Sequence, residues 1–237
     1  MSNPLAANPY SLKWLGHFFS SSLGRKLIMS LTGLFLCLFL FIHMTGNLQL
    51  LKSDGGRAFN EYAYFMTHFG PIKIVSYVTY FFILLHAIDG IGLALKNRQA
   101  RPVKYAANPK GSSWASRNMA VLGTIILVFL VIHLKQFWFE YKFGTSVPSV
   151  TYDGTEYKNL YAVVVEAFSQ WWYVLLYLAS LVALSYHLIH GFQSAFQTLG
   201  INHKKYTPII KALGWIFSIG VPLGFALQPL YLFFNAQ

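Results

Sequence analysis

Five apolar stretches, each about 20 residues or longer, limit what this chain of 237 residues can fold into. A helix rises about 1.5 Å per residue, so about 20 residues cross the roughly 30 Å of hydrocarbon in a bilayer. The stretches lie near residues 27–51, 72–95, 118–139, 160–190 and 208–234. The fourth is longer than a span needs, which predicts a tilted helix or ends that project into water. The sequence therefore predicts an all-α, multi-pass bundle of five membrane helices.

The composition agrees with a membrane protein and excludes soluble classes. Hydrophobic residues make up 55% of the chain and charged residues 11%. The net charge of +11 does not indicate a nucleic-acid partner, because no soluble domain remains to bind one. Cys37 is the only cysteine, which excludes an intrachain disulfide and a cysteine-ligated iron–sulfur cluster. We treat residues 1–237 as one membrane domain, with residues 1–26 as its cytoplasmic or interfacial segment.

Basic residues are divided unequally between the two faces of the membrane. One face holds Lys13, Arg25, Lys26, Lys96, Arg98, Arg101, Lys104, Lys110, Arg117, Lys204, Lys205 and Lys211. The other holds Lys52, Arg57, Lys73, Lys135, Lys142 and Lys158. The positive-inside rule predicts a cytoplasmic N-terminus in the cell (inner) membrane. No cytoplasmic loop contains an acid. Membrane topology and attraction to anionic lipid explain this pattern, and a docking surface for a cytoplasmic subunit is the alternative explanation.

Four histidines lie inside the apolar stretches, at two depths. His43 and His133 come towards the outer membrane face, and His86 and His187 towards the inner face, roughly 15 Å apart. A ring nitrogen in lipid needs a partner, and two pairs at matched depth suggest two stacked metal centres. Histidines from two facing helices are suitable axial ligands for haem. Interhelical hydrogen bonds or a proton path are the alternatives.

Glycines accompany three of these histidines. Gly90 and Gly191 each follow a histidine by four residues, and Gly46 follows His43 by three. A glycine one turn from a ligand leaves room for a flat macrocycle beside the helix. Tight packing of membrane helices is the alternative explanation.

Two further polar residues lie close to the inner histidines. Asp89 and His190 each come three residues after one of them, and we expect the two to form a buried hydrogen-bonded pair. His190 also lies one turn from His187 and could replace it as a ligand. The repeated glycine spacing favours His187.

Short motifs surround the four intramembrane histidines in a fixed order. They are Ser30-Leu-Thr-Gly-Leu-Phe, Phe41-Ile-His43-Met, Leu85-His86-Ala, Ile132-His133-Leu and His187-x-x-x-Gly191. In sequence and in their assignment to spans, they resemble the cytochrome b membrane anchor of succinate dehydrogenases and fumarate reductases. More narrowly, the chain is similar to the single-chain anchor that encloses two haems b.

This resemblance implies a set of ligands and partners. His86 and His187 would hold the proximal haem b, and His43 and His133 the distal one. A flavoprotein subunit and an iron–sulfur subunit would dock on the cytoplasmic face and carry out the succinate chemistry. This chain would then exchange electrons with a membrane quinone, which we expect to be menaquinone.

The resemblance also suggests proton and propionate sites. An acidic residue near the distal haem takes up protons in related anchors, and Glu61 is the nearest candidate, although its spacing from the first histidine differs. A solvated loop carboxylate is the alternative for Glu61. Ser185 stands where some relatives have a glutamate in a proton path, so that mechanism is not carried over. Arg25 and Lys26 are candidates to bind propionates of the proximal haem, or else they are interfacial anchors.

Two other functions remain open from the sequence alone. One is the cytochrome b subunit of another quinone-linked dehydrogenase or hydrogenase. The other is a small proton-coupled transporter that uses the histidines as a relay. Five spans with no broken helix and no detectable inverted repeat disfavour a carrier.

Overall fold

The computed structural model describes residues 12–100 and 113–235. The basic residues Arg101, Lys104 and Lys110 and the first eleven residues of the N-terminal segment lie outside these ranges. The helices are α1 (Leu12–Ser20), α2 (Ser22–Asn47), α3 (Arg57–His68), α4 (Gly70–Gln99), α5 (Trp114–Arg117), α6 (Met119–His133), α7 (Glu140–Phe143), α8 (Leu160–Phe168), α9 (Trp171–Thr198) and α10 (Thr207–Asn235). A 3-10 turn over Leu48–Leu51 extends α2, and a π-helical segment over Leu134–Phe139 extends α6.

Five helical segments of the described chain are long and apolar enough to cross a membrane. They are Ser22–Leu51, Gly70–Gln99, Met119–Phe143, Trp171–Thr198 and Thr207–Asn235. Large apolar side chains on their outward faces are exposed; on α4, Ile74, Tyr77, Leu84 and Ile88 expose between 62% and 71% of their surface. A contiguous apolar surface of this kind suits lipid rather than water. The predicted all-α membrane bundle is confirmed.

Four of the spans form a square. α2 packs against α4 and α9, and α6 packs against α4 and α9, so that α2 lies diagonally opposite α6 and α4 opposite α9. α10 lies outside the square, against α9 and α2. We refer to the face at which α2 begins as the N-terminal face, and to the other as the opposite face.

Local sequence signals mark where the spans begin and end. Ser21 caps α2 by accepting a hydrogen bond from the N–H of Gly24 at 3.0 Å. Pro71 lies in the first turn of α4, where the missing N–H costs nothing. α9 ends at Thr198, and Gly200, two residues beyond it, has a φ of 76° that suits glycine and allows Ile201 N–H to bond back to the carbonyl of Phe196.

A cap covers the opposite face of the bundle. It consists of α3, α8 and a β-hairpin whose strands β1 (Ser149–Tyr152) and β2 (Thr155–Lys158) pair antiparallel. Asp153 and Gly154 form the turn with φ of 48° and 80°, the left-handed values that a two-residue hairpin turn needs. Apolar residues of α3 and α8 join a buried cluster with the ends of α9 and α10 at the opposite face.

The fourth apolar stretch differs from its prediction. Residues 160–190 do not form one long tilted span, because α8 ends at Phe168 and α9 begins only at Trp171 and continues to Thr198. Gln170 is extended between the two helices, with φ of −90° and ψ of 113°. The break lets the Phe168 ring turn back onto Tyr177 at 4.9 Å between centroids. A straight helix would have projected into water, whereas the break buries the Phe168 ring in the cap.

Candidate metal centres

Each helix of the square carries one of the four intramembrane histidines. His43 on α2 and His133 on α6 have ring centroids 5.9 Å apart and ring planes at 88°. His86 on α4 and His187 on α9 have centroids 6.3 Å apart and planes at 64°. Since each pair joins diagonally opposite helices, both meet in the interior of the bundle, where such folds hold cofactors. The residues of each predicted pair are therefore neighbours in space.

The two pairs lie at different depths. Tyr177 contacts His133 through its hydroxyl and lies ten residues before His187 on the same helix. At about 1.5 Å per residue, this spacing places the two levels about 15 Å apart along α9. The helix geometry agrees with the separation expected from the sequence.

The distance between the rings fits two imidazoles on opposite sides of one metal. A histidine nitrogen lies about 2.0–2.1 Å from a bound metal and about 1.1 Å from its own ring centroid, which sums to about 6.3 Å between centroids. The pairs His43–His133 and His86–His187 lie at 5.9 and 6.3 Å. Both are within a few tenths of an ångström of that value.

One ring nitrogen in each pair has a hydroxyl partner. Nδ1 of His86 lies 3.1 Å from Oγ1 of Thr32, and Nδ1 of His133 lies 3.0 Å from Oη of Tyr177. A metal-binding histidine uses one nitrogen for the metal and the other for a hydrogen bond that orients the ring. These contacts leave Nε2 of both histidines for a metal.

The donor set suits a metal that has further ligands of its own. Within residues 12–100 and 113–235, no three His, Cys, Asp or Glu side chains come together to hold a metal ion. A zinc site uses three or four protein ligands, whereas haem iron takes its equatorial nitrogens from the porphyrin and needs at most two axial residues. Two isolated histidine pairs thus fit haem and do not fit a bare ion.

The three predicted glycines differ in their surroundings. A side chain at Gly191 would meet no described atom within 4 Å, and one at Gly90 would meet the methyl of Met29 at 3.5 Å. A side chain at Gly46 would instead overlap the Tyr62 ring, at 2.6 Å from Cε1. Space remains beside the His86–His187 pair, but Gly46 serves the packing of α3 on α2 and not the predicted clearance for a cofactor.

Asp89 and His190 do not form the predicted pair. Oδ1 of Asp89 lies 4.0 Å from Nε of Arg25, and its buried Oδ2 has no hydrogen-bond partner among the described residues. Nε2 of His190 instead lies 3.3 Å from Oγ of Ser194 on its own helix. A guanidinium offsets a buried carboxylate better than a neutral imidazole does, which explains the difference. Arg25 thus faces Asp89, Lys26 is exposed, and their binding to propionates stays a prediction.

Glu61 lies on α3, in the cap. Its Oε1 accepts a hydrogen bond from Nε of Arg57 at 2.8 Å, and Arg57 also pairs with Asp153 of the hairpin. The hydrogen bond to Glu61, together with Asp153, raises the pKa of Arg57, so the guanidinium stays charged. Glu61 is therefore a paired surface carboxylate, and its assignment as the proton site stays a prediction.

Three residues beside the histidines were not predicted as site residues, although two of them lie in the Ser30-Leu-Thr-Gly-Leu-Phe motif. They are Thr32, Tyr177 and Gly33, where an added Cβ would lie 3.3 Å from Cε1 of His86. Depth places the first of them at the level of a histidine pair but does not by itself single it out. Thr32 lies eleven residues before His43, about 16 Å along α2, which is the level of the His86–His187 pair.

These features define a multi-pass, all-α membrane protein in which four helices bring two histidine pairs into the bundle interior. The family model of the succinate dehydrogenase/fumarate reductase transmembrane subunit matches residues 94–221, more than half of the chain. The chain belongs to this family. The match includes His133 and His187, whereas His43 and His86 precede it. No curated protein and no solved structure matches the chain.

Proposed function

We propose that this chain is the dihaem cytochrome b subunit that anchors a succinate dehydrogenase or fumarate reductase and exchanges electrons with a membrane quinone. Membership of the family supports the anchor role. The observation that carries the haem assignment is the spacing of the imidazole rings, 5.9 and 6.3 Å between centroids. Two such pairs at two depths call for two haems.

The ligands divide by level. His43 and His133 would hold one haem b, and His86 and His187 the other. When bound, haem supplies a one-electron iron couple. The chain contributes fixed ring positions and a dry surrounding, since Phe39 stacks on His43 with centroids 5.3 Å apart. Low polarity around a haem is one of the means by which a protein tunes its potential.

The two levels together bridge much of the membrane. A separation of about 15 Å covers about half of the roughly 30 Å hydrocarbon layer, so two haems would relay electrons between its faces. The quinone, for which we retain the expectation of menaquinone, would exchange electrons within the bilayer. Glu61, in the cap beyond the His43–His133 pair, is the candidate for proton exchange there.

The N-terminal face supports the assignment of partners. Its described loops and helix ends carry Lys96, Arg98, Lys204, Lys205 and Lys211, and none of the seven acids of the chain lies in them. A basic surface of this kind suits the docking of the iron–sulfur and flavoprotein subunits, and the positive-inside rule makes this face cytoplasmic. Membership of the family favours these partners over those of another quinone-linked dehydrogenase or hydrogenase.

Haem quantitation on the purified full chain tests the proposal. We expect two haems b per chain in a pyridine-haem assay, with His86→Ala and His43→Ala each removing about one. His68→Ala is the matched control, because His68 is exposed on α3 and its loss should leave both haems in place. A colourless wild-type protein, with loss during purification excluded, would refute the cytochrome assignment and favour the histidine-relay transporter.

A further inference from the structure

Two of the four histidines lie on helices of which few residues are buried in the bundle. α4 buries only Thr79 and Asp89 and α6 only Leu122, whereas α9 buries eight of its 28 residues. α4 carries His86 and α6 carries His133, and both helices face lipid along most of their length. The orientation of α4 and α6 therefore depends more on specific contacts to their neighbours than that of α9 does.

His86 is held by a hydroxyl on the neighbouring helix α2. Oγ1 of Thr32 lies 3.1 Å from Nδ1 of His86 and 2.7 Å from the carbonyl oxygen of Ile28 in its own helix. A threonine has a single O–H donor, and the shorter contact to Ile28 takes it. Nδ1–H of His86 therefore donates to Thr32, which sets the tautomer and leaves Nε2 unprotonated.

His133 is held in the same way by α9. Oη of Tyr177 lies 3.0 Å from Nδ1 of His133 and 3.5 Å from Oη of Tyr173. Tyr177 is buried, at 7% exposure, in the cluster that joins the bundle to its cap. If Nδ1–H of His133 donates to Oη of Tyr177, the Tyr177 hydroxyl can direct its own proton towards Tyr173. The imidazole N–H and the Tyr177 hydroxyl then both have a partner.

The two contacts form a crossed arrangement. α2 carries the ligand His43 at one level and the hydroxyl of Thr32 at the other, eleven residues apart. α9 carries the ligand His187 and the hydroxyl of Tyr177, ten residues apart. Each of these better-buried helices thus supplies a ligand to one pair and a hydroxyl to a ligand of the other pair.

We infer that Thr32 and Tyr177 are positioning residues, which fix the ring orientation and Nδ1–H tautomer of His86 and His133 so that Nε2 of each is presented to haem iron. This inference rests on the proposed function, because it assumes that the pairs bind haem. A hydrogen bond from Nδ1–H makes the ligating nitrogen more basic and favours ferric iron. Loss of either hydroxyl should therefore raise the potential of one haem and weaken its retention about 10- to 100-fold.

The test compares four variants of the full chain: Thr32→Val, Thr32→Ser, Tyr177→Phe and Tyr173→Phe. Redox titration resolves the two potentials, electron paramagnetic resonance reports the ligand field of each ferric haem, and transfer to apomyoglobin measures retention. His86→Ala and His43→Ala assign each signal to its pair. We expect Thr32→Val to change only the haem of the His86–His187 pair and Tyr177→Phe only the other. Thr32→Ser, which keeps the hydroxyl, should retain wild-type values. Tyr173→Phe removes the acceptor of the Tyr177 proton and should change only the haem of the His43–His133 pair, by less than Tyr177→Phe does.

The possible results separate this inference from the proposed function. If the wild type holds two haems but neither variant moves a potential or an electron paramagnetic resonance signal, the positioning role is overturned while the cytochrome assignment stands. If each variant moves both haems equally, the change reflects general loosening of the bundle and the inference fails. If one variant alone acts on its own haem, the assignment of the other residue is overturned. A colourless wild type would overturn the proposed function itself.

Discussion

Asn60 anchors the cap, and its removal should open the cap without unfolding the bundle. The side chain is 1% exposed. Its Nδ2 donates to Oη of Tyr152 at 3.1 Å and to Oδ1 of Asn159 at 3.0 Å, and its Oδ1 accepts from the N–H of Tyr161 at 2.9 Å. One amide therefore joins α3 to the hairpin and to the start of α8.

The expected magnitude follows from these three bonds. Each contributes about 1 kcal/mol net, and a buried donor left without an acceptor adds part of a further penalty of about 1–3 kcal/mol. In Asn60→Ala, the N–H of Tyr161 is such a donor, since it lies in the first turn of α8. We expect the free energy of cap opening to fall by about 3–4 kcal/mol, which is about a 100- to 1,000-fold loss of protection.

Hydrogen exchange measured by mass spectrometry on the chain in lipid nanodiscs tests this prediction. Protection should fall by that factor in Ser149–Lys158 and at the start of α8, while the buried thiol of Cys37 in α2 stays unreactive. Asn118→Ala is the control, because Asn118 makes one exposed bond to the carbonyl oxygen of Trp114. Protection of the hairpin within about threefold of the wild type would show that Asn60 does not hold the cap.

Two further changes test contacts of α2. Gly46→Ala places a methyl against the Tyr62 ring and should lower the free energy of unfolding by about 1–3 kcal/mol. Gly123→Ala is its control: the added methyl meets no described atom within 4 Å and should raise the free energy of unfolding by up to about 1 kcal/mol. Thermal unfolding followed by a thiol-reactive dye measures both variants, and equal effects would contradict the packing argument. Arg25→Leu leaves the buried carboxylate of Asp89 without its counter-ion and should destabilise the protein by about 1–3 kcal/mol, because the pair is partly exposed. Adding Asp89→Asn to Arg25→Leu should recover most of the lost stability in the same assay. A double variant as unstable as Arg25→Leu alone would argue against the ion pair.

The membrane spans and the depths of the histidines were predictable because both depend on distance along a helix. A run of apolar residues sets the length of a span, and a fixed rise per residue turns a position in the sequence into a depth. The pairings His43–His133 and His86–His187 follow from depth alone. Their Nδ1 partners do not, because several hydroxyl residues share each level and helix rotation decides which of them faces a histidine.

The cap was missed for two different reasons. The hairpin did carry a signal, since Asp153-Gly154 lies between short segments rich in β-branched and aromatic residues, which is the pattern of a two-residue turn. The division of the fourth stretch into α8 and α9 left little signal in the sequence, because Ser169 and Gln170 do not break a helix by themselves. That break depends on the contact of Phe168 with Tyr177, which exists only once the fold has formed.

The chemistry of the inferred positioning residues follows from their depth in the membrane. A carboxylate would orient a histidine more strongly than a hydroxyl does, but inside lipid it needs a counter-ion, as Asp89 needs Arg25 near the N-terminal face. A hydroxyl accepts from the imidazole N–H and donates its own proton nearby, so neither group is left unpaired. Thr32 does so with the carbonyl of Ile28, and Tyr177 has Tyr173 within reach. Neutral donors and acceptors near the middle of the bundle thus fix the rings without burying a charge, while the ion pair lies at its end, where water can share its solvation.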